Sequence, residues 1–270
     1  MPPVRSAKKN TATTDGAPVG KRPSTMWLKP IPKGDKEAFF KSSERDWDDK
    51  YEAKIGTATK IIKFGSEFIL TDRHVDEILA LGPGVCGGLW KFIFEYKDVS
   101  YDAKNKANLT TQSVIRLAKA CPKLRRIELQ AATEVKEDGL LALFENCPAL
   151  TYIELSALSH GNDITGTSLD ALRENPEWAP KLKNLMLGET DDKKDFMKAM
   201  RALGKERKAM IITLISRHEE KRYGDWDLVT RKQNYKKGRK HGDSYDDDKD
   251  PFYDFNKYGY GNYRSYNRFW

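Results

Sequence analysis

The sequence predicts an α/β fold of stacked helix-then-strand repeats, and three observations predict it. First, residues 109–129 and 135–155 carry the same pattern twice. Val114, Leu117, Ala118 and Cys121 in one copy, and Leu140, Leu143, Phe144 and Cys147 in the other, recur at i, i+3, i+4, i+7, the spacing of one helix face. Second, Pro122 and Pro148 each follow the last apolar cysteine, and proline cannot continue a helix. Third, each stop leads into Leu-x-x-Ile-x-Leu (Leu124, Ile127, Leu129; Leu150, Ile153, Leu155), whose final period of two suits a half-buried strand. Cys147 follows Cys121 by 26 residues, a repeat length that predicts a solenoid.

With 270 residues the chain is long enough for one sizeable core with tails. A net charge of +8 with 33 % charged residues predicts a soluble protein with a weak preference for acidic partners. No run of about 18 apolar residues occurs, so no membrane span is expected. The start Met1-Pro2-Pro3-Val4-Arg5 lacks the apolar region of a secretory signal. Cys86, Cys121 and Cys147 stand at one position of the repeat and none forms Cys-x-x-Cys, so they read as buried core thiols rather than metal ligands or a disulfide. That pattern fits a reducing compartment, cytoplasm or nucleus.

Taken in order, residues 1–57 form a basic, polar lead with Pro2, Pro3, Pro18, Pro23, Pro30 and Pro32 scattered through it, and at least 1–25 is expected to be disordered. Lys8-Lys9 and Lys21-Arg22 are either a weak import signal or part of a solvated tail. Trp27-Leu28 and Phe39-Phe40 are candidates to fold back on the core, and the helical-looking, highly charged stretch Lys36–Tyr51 is a candidate capping helix. The repeat domain spans 58–220. Ile61–Phe64 and Phe68–Leu70 each read as a short strand, at least one of them opening the stack. A degenerate copy follows, with Val75, Ile78, Leu79 and Leu81 on its helix, then Cys86, and a strand at Leu89, Phe92 and Phe94. Lys97–Asn108 is polar and reads as an inserted loop before the two clearest copies. A fourth copy has Leu169 and Leu172 on its helix and Leu182, Leu185 and Leu187 leading into its strand, with extra residues at His160-Gly161-Asn162 and Asn175–Trp178. A fifth carries Phe196, Met197, Met200 and Leu203, then Ile211–Ile215. Residues 221–270 hold a basic run (Arg231–Lys240), an acidic run (Asp246–Asp248) and a Tyr/Asn/Gly/Arg-rich end (Tyr253–Trp270), and read as a disordered tail.

On these residues Leu70–Ile215 resembles the leucine-rich repeat proteins, and more narrowly the cysteine-containing, ribonuclease-inhibitor-like subclass found in the repeat regions of F-box proteins. The Thr/Asp-rich helix starts, the Cys-Pro-x-Leu helix ends and the Leu-x-x-Leu-x-Leu strands carry the likeness; no F-box stretch precedes them. The resemblance implies a solenoid of about four to five units, with a parallel sheet on the concave face and helices on the convex face. One departure stands out. The family places Asn or Cys three residues after the last strand Leu, whereas this chain has Lys97, Ala132, Leu158 and Thr190 there, so irregular turns are expected.

Side chains alternating with the core residues of such strands face the other side of the sheet. These are Lys91, Ile93 and Glu95; Arg126, Glu128 and Gln130; Tyr152, Glu154 and Ser156; Asn184, Met186 and Gly188. Glu128 and Glu154 are expected as neighbours, with Arg126 and Tyr152 beside them. The face is either a mixed stripe that binds a partner protein, anchored by Tyr152 and Arg126, or a solvated surface. An open face would screen the two carboxylates, which argues against a catalytic pair. His74, His160, His218 and His241 are scattered, and no phosphate-loop, Gly-x-Ser-x-Gly or His-Glu-x-x-His motif occurs, so neither catalysis nor a cofactor or metal is expected. The favoured expectation is a non-enzymatic adaptor or substrate-receptor module contacting its partner through Lys91, Glu95, Arg126, Glu128, Gln130, Tyr152, Glu154, Asn184 and Met186. A second is nucleic-acid association through Lys232, Lys236, Lys237, Arg239 and Lys240 in the tail, with tyrosines offering stacking faces. A third is a subunit docking on a larger assembly through Trp47, Phe252 and Trp270.

Overall fold

In the computed structural model, residues 31–97, 99, 103–158, 163–190, 193–222 and 224–247 are described. The expectations placed on 1–25, on Trp27-Leu28, on His160-Gly161-Asn162 and on 248–270 lie outside them.

The chain enters through β1 (Glu37–Ser42), a four-residue helix α1 (Tyr51–Lys54), β2 (Ile61–Glu67) and β3 (Ile69–Thr71). Helices α2 (Asp72–Ala80) and α3 (Pro83–Cys86) lead to β4 (Lys91–Phe94). After β5 (Lys106–Asn108) come α4 (Thr111–Ala120) and β6 (Arg126–Leu129), then α5 (Glu137–Asn146) and β7 (Tyr152–Leu155). The last units are α6 (Thr167–Glu174) with β8 (Asn184–Gly188), and α7 (Lys194–Glu206) with β9 (Ile211–Arg222). Two further strands, β10 (Asp225–Lys236) and β11 (Arg239–Asp247), end the described chain.

Nine strands form one sheet in the order β1-β2-β4-β6-β7-β8-β9-β10-β11, parallel from β1 to β9 and antiparallel through β10 and β11. The register is strict. Phe92, Ile127, Ile153, Leu185 and Ile212 lie in one row and Phe94, Leu129, Leu155, Leu187 and Leu214 in the next, all buried. Each crossover advances one strand in the same direction, and crossovers of one hand put every helix on one face. Accordingly α2, α4, α5, α6 and α7 pack side by side in that order. Helices α4 and α5 stop at Cys121 and Cys147, as the prolines require, and these sulfurs together with Cys86 are buried and free.

Neighbouring units are also tied at their helix starts. Thr110 donates from N and Oγ1 to Asp72 (2.8 and 2.7 Å), Lys136 N donates to Thr111 Oγ1 (3.0 Å), and Ser168 N donates to Glu137 (2.6 Å). Carboxylates there also oppose the positive ends of the helices. At the other end of α6, the Arg207 guanidinium donates to the carbonyls of Leu172, Trp178 and Ala179 (2.9, 2.9 and 3.0 Å).

Three expectations need correction. Lys36–Tyr51 is not a capping helix. Ala38, Phe40 and Ser42 are buried at period two, so the segment joins the sheet as β1, and turns deliver Trp47 onto Phe40 and Tyr51. Lys97–Asn108 is not all loop, because β5 pairs with β3 in a second, parallel sheet. And 221–247 is not a disordered tail. β9 continues unbroken to Arg222, and β10 pairs along its length. Lys237 and Gly238, at φ 52° and 73°, make the two-residue turn into β11 that a left-handed pair favours. Val229 and Tyr235 are the buried residues that hold this hairpin down.

His74 is buried between Trp47 and Phe68, each ring centroid 4.9 Å away, and its Nδ1 accepts the Thr71 backbone N–H (3.0 Å). Burial, helped by the Arg73 charge, lowers its pKa from 6.5 to about 4. The unfolded chain therefore takes up a proton that the folded chain refuses. Stability present above pH 6.5 is lost as the pH falls towards 4, by about 3 kcal/mol at roughly 1.4 kcal/mol per unit. Urea titrations across that window should show this acid-side loss, and His74→Leu should flatten it. Independently, Tyr235→Ala should cost about 3 kcal/mol in the same assay; a loss within error of zero would mean that the hairpin is no part of the core.

Candidate functional site

The face of the sheet without helices carries three rows of side chains. Lys91, Arg126, Tyr152 and Asn184 are register neighbours in the first; Ile93, Glu128, Glu154, Met186 and Thr213 in the second. Glu95, Gln130, Ser156 and Gly188 follow two residues later. The sequence places all nine candidate residues on this face, and the structure brings them together as neighbours.

The middle row is not solvated, however. Glu128 and Glu154 are 5 % and 3 % exposed, and each has a cation. Arg126 Nε donates to Glu128, and the Arg126 guanidinium lies 4.0 Å from the centre of the Tyr152 ring. Tyr152 Oη donates to Glu154 Oε2 (3.1 Å) and meets Met186 Sδ at 2.6 Å. On its other oxygen Glu154 accepts from Arg217 Nη2 (2.5 Å), and Arg217 Nη1 donates to Ser156 Oγ. Two carboxylates thus sit against two guanidiniums, as buried charge demands. Burial holds the Glu128 carboxyl above its usual pKa, against the pull of Arg126. Burial and the neighbouring Glu154 charge raise the Tyr152 hydroxyl, so it stays a donor.

Arg217 was not among the sequence candidates. It belongs to β9 beyond Ile215, where the apolar pattern of the fifth copy ends. The signal was present: Thr213, Ile215, Arg217 and Glu219 continue the alternation on this face. Glu219 Oε1 accepts from Tyr96 Oη at 2.5 Å, although four strand spacings, about 19 Å, separate β9 from β4 along the sheet. The outer half of β9 therefore leans over the C-terminal ends of the parallel strands, and its Arg217 covers Glu154.

What remains accessible is the first row. Lys91, Arg126, Tyr152 and Asn184 are half-buried, as are Gln130 and Met186, while Glu95 pairs with Lys97 at 2.8 Å. The tail candidates lie elsewhere: Lys232 is half-buried on β10, and Lys236, Lys237, Arg239 and Lys240 are exposed about the β10–β11 turn. Trp47, expected as a docking contact, is fully buried in the aromatic cluster and donates to Glu77 instead. Among the described residues no group of three or more His, Cys, Asp or Glu side chains could hold a metal ion, and no helix is long and apolar enough to cross a membrane. Compared with known protein-family models and with curated proteins, the chain matches none.

Removing Arg217 should strand Glu154 as a buried, half-paired charge. Arg217→Met is expected to lose about 3 kcal/mol by urea denaturation. Adding Glu154→Gln should recover most of it; an additive second loss would show that the two groups do not interact.

Proposed function

We propose that this chain is a non-enzymatic protein-interaction module of the leucine-rich-repeat type, a solenoid whose helix-free face binds a partner protein. Five helix–strand units in strict register support the repeat reading. The observation that carries the binding reading is the first row: Tyr152 stacked under Arg126, flanked by Lys91 and Asn184, half-accessible on a rigid parallel sheet. Tyr and Arg are the side chains that most often anchor interfaces, because each offers a large apolar surface with a polar end. Here both are held in place by the carboxylates beneath them. A partner would not have to order them on binding, which lowers the entropic cost of association. The buried acids are structural in this reading, and the module acts as an adaptor or substrate receptor.

A photo-reactive amino acid at Asn184 and, separately, at Lys119 on the exposed side of α4 tests the assignment in cells. Specific protein adducts should form from position 184 and disappear with Arg126→Ala. Adducts equal at the two positions, or unchanged by the alanine, would overturn it.

A further inference from the structure

The helix-free face leaves a strongly basic surface on α7 unexplained. Helix α7 buries Phe196, Ala199, Met200, Leu203 and Gly204. Its opposite side sets Lys194, Lys198, Arg201 and Lys205 at i, i+4, i+7 and i+11, one line of exposed cations along about 16 Å of helix. The β10–β11 turn comes to the same place, and two glycines allow it. A Cβ on Gly204 would fall 2.9 Å from the Gly238 nitrogen, and one on Gly238 would fall 2.5 Å from the Arg201 carbonyl oxygen and 2.8 Å from Lys205 Cγ. The turn residues Lys237 and Arg239 are exposed and flank Gly238, so they extend the cation line.

Among the described residues, none of these six cations forms an ion pair. The nearby carboxylate of Glu206 faces Arg173 (3.4 Å), and that of Asp243 faces Lys240 (3.0 Å). Asp195, exposed in the first turn of α7 beside Lys194, offsets only part of this charge; gathering like charges is unfavourable, and a polyanion is the ligand that reverses the sign.

We infer that α7 and the β10–β11 turn together form a binding site for the phosphate backbone of a nucleic acid. Regular spacing along a line suits a repeating charge. Met197 and Ala202 are half-buried beside the line, while Phe196 and Tyr235 are in the core. Neither aromatic ring is open for a base to stack on, so contact is to phosphates and carries little sequence preference. The site uses none of the residues of the proposed protein-binding row.

Fluorescence anisotropy of the full chain with a labelled mixed-sequence DNA duplex tests this. Lys198→Glu with Arg201→Glu, and separately Lys237→Glu with Arg239→Glu, should each weaken binding on the order of tenfold and reduce the salt slope by about 2. Gly204→Ala changes no charge, yet it crowds the turn off the helix and should also weaken binding. Lys119→Glu with Lys123→Glu, remote on α4 and the turn after it, makes the same change in net charge and should leave binding within twofold. Equal losses from that control would overturn the site, as would competition by poly-glutamate as strong as that by unlabelled duplex, or retention on phosphatidylserine vesicles at lower protein concentration than on DNA.

Discussion

A parallel strand can pair with its predecessor only if the chain returns to the same end of the sheet, and everything here depends on making that return the same way each time. The helix that carries the chain back must stop at a fixed point, or the next strand slips its register and turns its core residues outward. Cys121-Pro122 and Cys147-Pro148 set that point. Pro ends the helix, and the sulfur fills the small space under it. Cys147 Sγ lies 3.5 Å from the Ala118 carbonyl and 3.6 Å from that of Cys121, so each helix end rests on the one before. Burial pushes the Cys147 thiol up to about 12, which keeps it neutral and inert in that position. The rows Ile127–Ile153 and Leu129–Leu155 follow from this stop.

A sheet built that way has two faces, and helices can cover only one. The other would leave Glu128 and Glu154 side by side in water. Instead the long β9–β10 hairpin leans over it, and once water is excluded the acids need cations. Arg126 comes from the strand itself, Arg217 from the hairpin. A hairpin that fails to dock therefore exposes apolar Ile212, Leu214, Val229 and Tyr235 and also strands a charge on Glu154. That makes docking specific, since a shifted strand would bring Ser216 or His218 opposite Glu154 in place of Arg217.

The repeats were legible because their signal is a strong local period fixed by apolar residues, repeated in several copies. The register, the buried cysteines and the fifth unit all follow from it. The hairpin was not legible. Residues 221–247 alternate too, but among the described side chains Val229 and Tyr235 are the buried apolar ones, set among Lys, Arg, Asp and Asn, and composition alone cannot separate such a strand from a solvated tail. β1 was lost for a related reason. Phe39 is 51 % exposed beside buried Phe40, which blurs the period of two that Ala38, Phe40 and Ser42 carry. The face of Glu128 and Glu154 could be read from the sequence, but their burial could not, because it depends on a segment far along the chain. The helix-start ladder through Asp72, Thr110, Thr111 and Glu137 was visible only as composition, and it adds side-chain cross-links between neighbouring units.

Strand β10 joins two hairpins. On one side Arg217 of β9 holds Glu154; on the other Gly238, in the β10–β11 turn, brings Lys237 and Arg239 to α7. The two are joined by continuous β-structure, β9 paired with β10 over its full length. Arg217 and Gly238 are thus carried on strands tied to the same β10, so a substitution that undocks β10 would disturb both the Glu154 contact and the turn on α7.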